Sequence, residues 1–451
     1  MVIAKGQQVL KCKPFAHVVG MQHKDSLCDF CMRDAGQKTL KKCSGCKVVY
    51  YCQVSCQKKA WMTYHRQECS YLSKVAPKIP TDTVRLMARI IFKLRQGGMR
   101  ECAELPDGRQ RYFEDLMTHQ REIVRDTQRI EAFLSFHAVL QDCLGDALPP
   151  KNEVLEIYGR VLINSFNVMN DDYQPVGIGL YLAPSVLDHS CSPNATVLFD
   201  GSSLILKAIE DVPDFDKIFI SYTNILAPTE ERKRALKSQY YFDCQCEKCS
   251  NAEESDADKS VLLCSSCKGG VPLSSMTCCK CGGEADGARK ASYLKLRSEF
   301  EDSVILNMGD HPEPEEQCES LFEEMQHIFH PHDKRYLDLL EILYEQRLGK
   351  QQYQAAADVA VLILEHYYRH YPSIDINIGL MELKAAKLWT YLDCFDKAEQ
   401  HYYRAKQILQ VTHGPYHPLV AISVKQIKQD IDMGRRETKE LKSVTTLQQS
   451  G

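Results

Sequence analysis

Cysteines occur 21 times in the 451 residues, and most of them fall in short, regular spacings. Zinc binds four nitrogen or sulfur ligands, and pairs of ligands two or three residues apart can grip one ion from a turn or a helix. A cluster of seven cysteines and one histidine within residues 28–69 therefore predicts two zinc sites. Its members are Cys28, Cys31, Cys43, Cys46, Cys52, Cys56, His65 and Cys69.

A second cluster, "DCQCEKC", contains Cys244, Cys246 and Cys249. Three thiolates leave a tetrahedral zinc site one ligand short. We expect Cys191, more than fifty residues upstream in "DHSCSPN", to supply the fourth ligand. Such a site would hold two distant segments of the chain together.

A third cluster consists of Cys264-x2-Cys267 and Cys278-x2-Cys281, with glycines beside each pair. Glycine permits the tight turn that points backbone amides at thiolates, so the pattern predicts a small zinc ribbon. A redox-active or merely exposed cysteine group stays open as an alternative, because Cys279 makes the second pair ambiguous. The cysteines outside all these clusters are expected to be packing residues: Cys12, Cys102, Cys143, Cys279, Cys318 and Cys394.

The formal net charge of -4, from 56 Lys+Arg against 60 Asp+Glu, excludes a strongly basic chain that would bind nucleic acid or membranes over its whole surface. No apolar run is long enough to span a bilayer, and the first residues lack the order of a signal peptide. We therefore expect a protein of the cytoplasm and nucleus with no membrane contact, where cysteines serve zinc rather than disulfides.

The stretch "CDFC…CSGCKVVYYCQVSCQKKAWMTYHRQEC" resembles a MYND zinc finger. The resemblance implies interleaved ligation: Cys28, Cys31, Cys52 and Cys56 on one ion, and Cys43, Cys46, His65 and Cys69 on the other. It also implies a protein-binding module that takes proline-rich peptides. The lysines of "KKCSGCKVV" and "CQKKAW" leave weak contact with DNA phosphates open, although exposed lysines are more often only solvated.

Four further motifs, "NSF", "GIGLYLAPSVLDHSCSPN", "ISYTN" and "QYYFDCQCEKC", resemble the SET-domain lysine methyltransferases that carry a MYND finger inside the SET domain. The resemblance to this SET and MYND domain-containing family implies an S-adenosylmethionine-dependent protein-lysine N-methyltransferase, a monomer that acts on histone tails or cytosolic proteins. It implies three zinc ions, and the ribbon would add a fourth.

The resemblance also assigns roles to single residues. Tyr222, which ends the "ISY" strand, would be catalytic. Asp188 stands where the family has asparagine, and an ionised carboxylate can only accept hydrogen bonds, whereas an amide also donates. The residues implied to contact the cofactor are His119, Asn164, Asp188, His189, Tyr240 and Phe242.

The implied fold is an α+β multidomain chain with a β-rich SET core. Apolar positions at helical spacing run from about residue 288 onward, where Tyr353 and Phe395 are 42 residues apart, as are Ala356 and Ala398. This weak internal repeat favours tetratricopeptide-like helix pairs, with a plain helical bundle as the alternative. The acidic stretches 251–260 and 308–317 are interpreted as linkers.

The expected domains follow the chain in order. They are residues 1–27 as the N-terminal part of the SET domain without its first strand and G-x-G turn, 28–69 as the MYND finger, 70–160 as a helical insert, 161–226 as the SET core, 227–250 as the post-SET zinc segment, 260–285 as the ribbon, and 288–440 as the tetratricopeptide-like domain.

The absence of a G-x-G ahead of Pro14, together with Asp188, keeps a second hypothesis open. In it the chain is a non-catalytic adaptor or transcriptional co-regulator, whose SET domain is degenerate and whose finger and helical repeats bind partners. A zinc hydrolase fits poorly, because each predicted zinc set finds four protein ligands and leaves no open position for a water.

Overall fold

The computed structural model describes residues 2–36, 39–252, 256, 259–306 and 315–449. The chain forms two compact units. The first unit contains Met1–Asp188, Asn194–Ile220 and Lys237–Phe242, and the second contains His189–Pro193, Ser221–Leu236 and Asp243–Gly451. Most of the predicted linker 308–317, and part of the linker 251–260, lie outside the described residues. No described helix is both long and apolar enough to cross a membrane.

The strands of the described residues are short and antiparallel wherever their pairing is given. They are β1 (Gln8–Cys12), β2 (Ala16–Val19), β3 (Lys41–Lys42), β4 (Tyr50–Tyr51), β5 (Cys102–Glu104), β6 (Gln110–Tyr112), β7 (Ser165–Met169), β8 (Pro175–Leu180), β9 (Asp188–His189), β10 (Ala195–Asp200), β11 (Ser203–Ala208), β12 (Phe219–Ile220), β13 (Val261–Leu263) and β14 (Gly270–Pro272).

The first unit contains two three-stranded sheets, one in the order β1-β11-β10 and the other in the order β2-β8-β7, and two-stranded sheets that pair β3 with β4 and β5 with β6. β10 and β11 carry the β-branched and large apolar residues that favour a half-buried strand. A two-residue turn joins them, and Gly201 in that turn has a φ of +59°, which glycine adopts without strain. The turn contacts the segment 28–69, because the Ser202 N–H donates to the carbonyl of Cys31 at 3.0 Å.

Helices of the first unit pack against the sheet β2-β8-β7, where helix Asp82–Arg95 contacts β2 and β8, and they include the predicted helical insert. A β-hairpin, β5 with β6, interrupts that insert, and the apolar spacing of the sequence did not predict it. The α-helices that lie wholly in the first unit are Val54–Ala60, Arg66–Val75, Asp82–Arg95, Gln120–Arg125, Thr127–Leu144 and Lys151–Asn164. A π-helical turn, Trp61–His65, connects the first two of them.

A buried ion cluster fixes the segment 28–69 to the rest of the first unit. On helix Asp82–Arg95, the Arg89 Nη2 atom lies 2.8 Å from Asp29 Oδ2 and 2.8 Å from Glu68 Oε2. Arg85 Nη2 lies 3.4 Å from a carboxylate oxygen of each of the same two residues. None of these four side chains is more than 3% exposed, so water cannot replace the contacts.

The second unit holds the hairpin β13–β14 and an array of helices. Helix Thr229–Tyr240 begins in this unit, and the remaining α-helices are Glu247–Ser250, Gly287–Leu306, Glu315–Met325, Lys334–Gly349, Tyr353–His370, Ile376–Tyr391, Phe395–Thr412 and Lys425–Gln449. From Lys334 onward each α-helix packs against the next one along the chain as far as the last.

The 42-residue internal repeat of the sequence coincides with the starts of two helices. Two helices of 18 residues begin at Tyr353 and Phe395. Ala356 and Ala398 are fully buried at equivalent positions, where a small side chain lets neighbouring helices approach closely. The α+β class and the tetratricopeptide-like helical region expected from the sequence are therefore confirmed.

Replacing Arg89 with methionine is predicted to destabilise the first unit by about 3–5 kcal/mol, because two buried carboxylates lose their closest cation. Urea unfolding can be followed by the fluorescence of Trp61, which lies in the first unit, in a protein that also carries Trp389→Phe. Arg95→Met on the same helix is the matched control: Arg95 is exposed, and the change is expected to cost less than about 1 kcal/mol. Equal effects of the two substitutions would contradict a structural role for the cluster.

Candidate metal centres and active site

Four groups of side chains bring their ligand atoms within 4.8 Å of one another. Each group supplies four cysteine or histidine ligands, the number and kind that structural zinc prefers. The groups are Cys28, Cys31, Cys52 and Cys56; Cys43, Cys46, His65 and Cys69; Cys191, Cys244, Cys246 and Cys249; and Cys264, Cys267, Cys278 and Cys281. All sixteen ligands named from the sequence are thus brought together, in the sets expected.

The first two groups, which we call centres 1 and 2, interleave along the segment 28–69. In centre 2 the Nε2 atom of His65 lies 3.3 Å from Cys43 Sγ and 3.7 Å from Cys46 Sγ. Its Nδ1 atom lies 3.2 Å from Glu68 Oε2, so a carboxylate fixes the ring with Nε2 facing the thiols. A β-carbon on Gly45 would lie 2.8 Å from Cys69 Sγ, so this turn has room only for glycine.

Glu68 connects centre 2 to the buried ion cluster. Burial alone would raise the pKa of its carboxyl group, but Arg89 and Arg85 outweigh burial and hold that pKa well below its usual value. The group is therefore ionised and accepts from the histidine and both guanidinium groups at once. A zinc ligand is in this way oriented by residues of the helix Asp82–Arg95.

Centre 3, formed by Cys191 with Cys244, Cys246 and Cys249, lies within the second unit. Arg232 is fully buried beside it, and its Nη2 atom lies 3.6 Å from Cys249 Sγ. The same guanidinium donates to Thr229 Oγ1 at 2.8 Å and to the carbonyl of Ala227 at 2.5 Å. A positive charge in this position partly offsets the charge of four thiolates around a divalent ion.

Centre 4 is the predicted ribbon. Its sulfur atoms approach in two pairs, with 3.8 Å from Cys264 to Cys281 and 3.5 Å from Cys267 to Cys278. The backbone N–H of Lys280 donates to Cys278 Sγ at 3.4 Å. A β-carbon on Gly269 would lie 3.2–3.3 Å from two of the sulfurs, so glycine is the residue that fits this turn. The four thiols and this amide fit a zinc ion.

The prediction that the remaining six cysteines are packing residues is wrong for two of them. Cys318 is buried, and Cys12, Cys143 and Cys394 are half-buried. Cys102 and Cys279 are exposed, because Cys102 lies on the two-stranded β5–β6 hairpin and Cys279 lies between two ligands in the ribbon turn.

Of the residues predicted to contact a cofactor, all but His189 lie in the first unit. Asn164 ends helix Lys151–Asn164, and its Nδ2 donates to the carbonyls of Met117 and Arg160, both at 2.9 Å. These two bonds leave the side-chain oxygen, an acceptor, to other partners. Asn164 is thereby joined to the segment that ends at His119, which has a φ of +46° and precedes helix Gln120–Arg125.

The segment 239–242 meets the same part of the first unit. The ring of Tyr241 lies 5.5 Å from that of His119, and the rings of Tyr240 and Phe242 lie 6.5 Å apart. Gln239 Nε2 donates to the carbonyl of Leu162 at 3.0 Å. Burial raises the pKa of the Tyr240 hydroxyl, so this side chain is a neutral phenol. Asp188, the last residue of the segment Met1–Asp188 of this unit, is exposed.

His189 and Tyr222 are in direct contact in the second unit. The backbone N–H of Tyr222 donates to His189 Nδ1 at 3.0 Å, so this ring carries its proton on Nε2 when neutral. Nε2 lies 3.2 Å from Cys191 Sγ, which it can reach as a donor. The two aromatic rings are 5.3 Å apart. His189 therefore links Tyr222 to a ligand of centre 3, and both of its ring nitrogens are engaged.

Sequence reasoning missed three residues that support these sites. Glu68 orients His65, Arg232 lies beside Cys249, and Tyr241 packs on His119 with a φ of +61°. The i,i+3 spacing of His65 and Glu68 could have revealed the first. No local pattern marks the other two, because their partners are distant in the sequence.

Comparisons with known proteins agree with these features. The MYND finger family matches residues 28–69. Histone-lysine N-methyltransferase SMYD3 of Homo sapiens is 27% identical over 425 residues, which cover 92% of this chain and 90% of that protein. The Mus musculus SMYD3 is 28% identical with the same coverage. N-lysine methyltransferase SMYD2 of Sus scrofa is 25% identical over 95% of this chain and 93% of its own length.

Native mass spectrometry of the zinc-loaded chain is predicted to show four zinc ions, because each of the four centres is complete within the chain. Cys249→Ser removes a buried ligand of centre 3 and is expected to leave three ions. Cys143→Ser, a change at a half-buried cysteine that belongs to none of the four groups, is the control and should retain all four. Four ions in the Cys249 variant would contradict the assignment of centre 3.

Proposed function

Since the chain belongs to the SET and MYND domain-containing family, we propose that it is an S-adenosylmethionine-dependent protein-lysine N-methyltransferase. Its substrates are histone or non-histone proteins, and the finger at residues 28–69 recruits partners. The observation that carries the proposal is the linkage of Tyr222 through His189 to the zinc ligand Cys191. The names of SMYD3 and SMYD2, two lysine methyltransferases that match over at least 90% of their own length, support it.

S-Adenosylmethionine, when bound, supplies a methyl group attached to a positively charged sulfur. The chain must then present a lysine amine in its neutral form, in line with that methyl group, and keep water away. A free lysine has a pKa of about 10.4, and burial among aromatic side chains favours its neutral form. The tyrosine and phenylalanine side chains assigned here suit this task.

Tyr222 is proposed to place its hydroxyl beside the reacting amine. A catalytic hydroxyl is useful only if the backbone that carries it is held still. The bond from the Tyr222 N–H to His189 Nδ1 provides that restraint, and the contact of His189 Nε2 with Cys191 fixes the imidazole in turn. Centre 3 thus positions a catalytic residue as well as stabilising the fold around it.

The cofactor contacts are proposed residue by residue. The free acceptor of Asn164 suits a cationic amino group, and the exposed carboxylate of Asp188 would attract a positively charged ligand. Because both ring nitrogens of His189 are engaged, this residue would contact the cofactor through its main chain or ring face. His119, Tyr240 and Phe242 would provide aromatic surface.

A second candidate, the non-catalytic adaptor, has its own support. Trp61 and Met62 in the segment 28–69 are 45% and 80% exposed. Exposed aromatic and methionine side chains are enriched at protein interfaces, and proline-rich peptides dock on aromatic surfaces. Binding partners through these residues is compatible with methyl transfer. The two candidate functions differ in whether the protein's function requires Tyr222.

Tyr222→Phe is predicted to lower kcat at least about 100-fold, because the hydroxyl at the reacting amine is lost while the backbone bond to His189 remains. Methyl transfer from labelled S-adenosylmethionine to a panel of histones and cytosolic proteins measures this. Tyr416→Phe is the matched control, since Tyr416 is 93% exposed and should tolerate the change. Transfer that is undiminished in the Tyr222 variant would remove its proposed role, and wild-type protein without any transfer would favour the adaptor.

Asp188→Asn is predicted to weaken S-adenosylmethionine binding about two- to fivefold, because an exposed carboxylate attracts a cationic ligand only modestly. Isothermal titration at low and at 0.5 M salt tests this, and the difference between variant and wild type should shrink as salt screens the charge. Tighter binding by the variant would mean that the amide's donor matters more than the charge, which would contradict the electrostatic role.

A further inference from the structure

Centre 4 differs from the other three in its accessibility. Of the sixteen ligands, Cys281 is the only exposed one. Every ligand of centre 2 is buried, and the ligands of centres 1 and 3 are buried or half-buried. Oxidation of cysteine requires thiolate character and access of the oxidant, so the four centres should not react alike.

The geometry of centre 4 also suits disulfide formation. The Sγ atoms of Cys264 and Cys281 are 3.8 Å apart, and those of Cys267 and Cys278 are 3.5 Å apart. A disulfide requires about 2.05 Å, which a small movement of side chains within a turn can supply. The exposed residues 279–283 can make that movement more easily than the helices that carry Cys56 of centre 1 and Cys69 of centre 2.

We propose that centre 4 is an oxidation site, at which a peroxide joins Cys281 to Cys264 and releases the zinc ion while the other centres keep theirs. The Cys281 thiolate attacks one peroxide oxygen, which gives a sulfenic acid and one hydroxide. The Cys264 thiolate then attacks the sulfenic sulfur, forms the S–S bond and expels a second hydroxide. Two electrons pass from the thiolate pair to the peroxide, and the zinc loses two of its four ligands.

Residues beside centre 4 contact the helical region of the second unit, so loss of its zinc ion should affect that region. β13 ends directly before Cys264, and the Leu263 N–H donates to the carbonyl of Ile328 at 2.8 Å. Arg289, near the start of helix Gly287–Leu306, donates to the carbonyls of Leu263 and His327, both at 2.8 Å. Oxidation should therefore loosen residues 264–285 first and the start of that helix next. This inference goes beyond methyl transfer and does not rest on it.

The test uses the full-length, zinc-loaded chain treated with hydrogen peroxide. Zinc release is followed with a chromogenic chelator, and disulfides are mapped by mass spectrometry of peptides. We expect one of four ions to leave at least about tenfold faster than the rest, together with a Cys264–Cys281 disulfide. Reduction with dithiothreitol in the presence of zinc should restore the fourth ion.

Two single substitutions serve as matched controls. Cys279→Ser and Cys102→Ser each remove an exposed cysteine that lies outside the four ligand groups, and both should leave the fast release unchanged. Loss of the fast phase in Cys279→Ser, or a first disulfide that includes Cys279 or a cysteine of residues 28–69, would overturn the proposal. So would release of all four ions at one rate. Cys281→Ser should lack the fourth ion before oxidation, which checks the assignment without peroxide.

Discussion

The contact of Arg89 with Asp29 and Glu68 is the interaction on which most of the first unit depends. Removing a guanidinium and two carboxylates from water costs several kcal/mol for each ion, and the cost is offset only when every charge is closely paired. The requirement is met here by residues from three places: the loop after Cys28, the helix after His65, and the helix Asp82–Arg95. Arg89 also donates to the carbonyl of His17 in β2 at 2.5 Å. A finger segment that could have been an independent module is thereby fixed to a sheet and a helix of the same unit.

The same logic recurs on a smaller scale at His189. At centre 2 the Nε2 atom of His65 faces two thiols and would bind zinc, while Glu68 holds Nδ1. At centre 3 the Nε2 atom of His189 contacts Cys191, while the Tyr222 backbone holds Nδ1. Imidazole has two distinct nitrogens, so one contact sets the tautomer that the other contact needs. In both places one imidazole ring joins a metal centre to a second group, which is the Glu68 carboxylate at centre 2 and the Tyr222 backbone at centre 3.

Ligand spacing made the metal centres predictable, because gripping one ion from a turn imposes a separation of two or three residues. The link from Cys191 to Cys249 was predictable only by counting, since three thiolates required a fourth. The 42-residue spacing of Tyr353 and Phe395 predicted helix pairs, and two helices begin at these residues. The Arg89 cluster could not be foreseen, because arginine and its carboxylates are 21 and 60 residues apart and no local pattern joins them. The exposure of Cys102 and Cys279 likewise depends on which face of a hairpin or turn meets solvent.

Differences among the four centres follow from what surrounds them rather than from their ligands. Centre 2 has a carboxylate on its histidine, and centre 3 has the buried guanidinium of Arg232 beside a thiolate. At centre 4 the Sγ atom of Cys278 accepts a hydrogen bond from the backbone N–H of Lys280, and the surrounding loop is partly exposed. Buried charged partners hold thiolates in place and exclude solvent, so the affinity and inertness of a site depend on them. Four sites of nearly identical composition can therefore divide their tasks, with centres 1 and 2 building the fold, centre 3 holding Tyr222, and centre 4 open to chemistry from solvent.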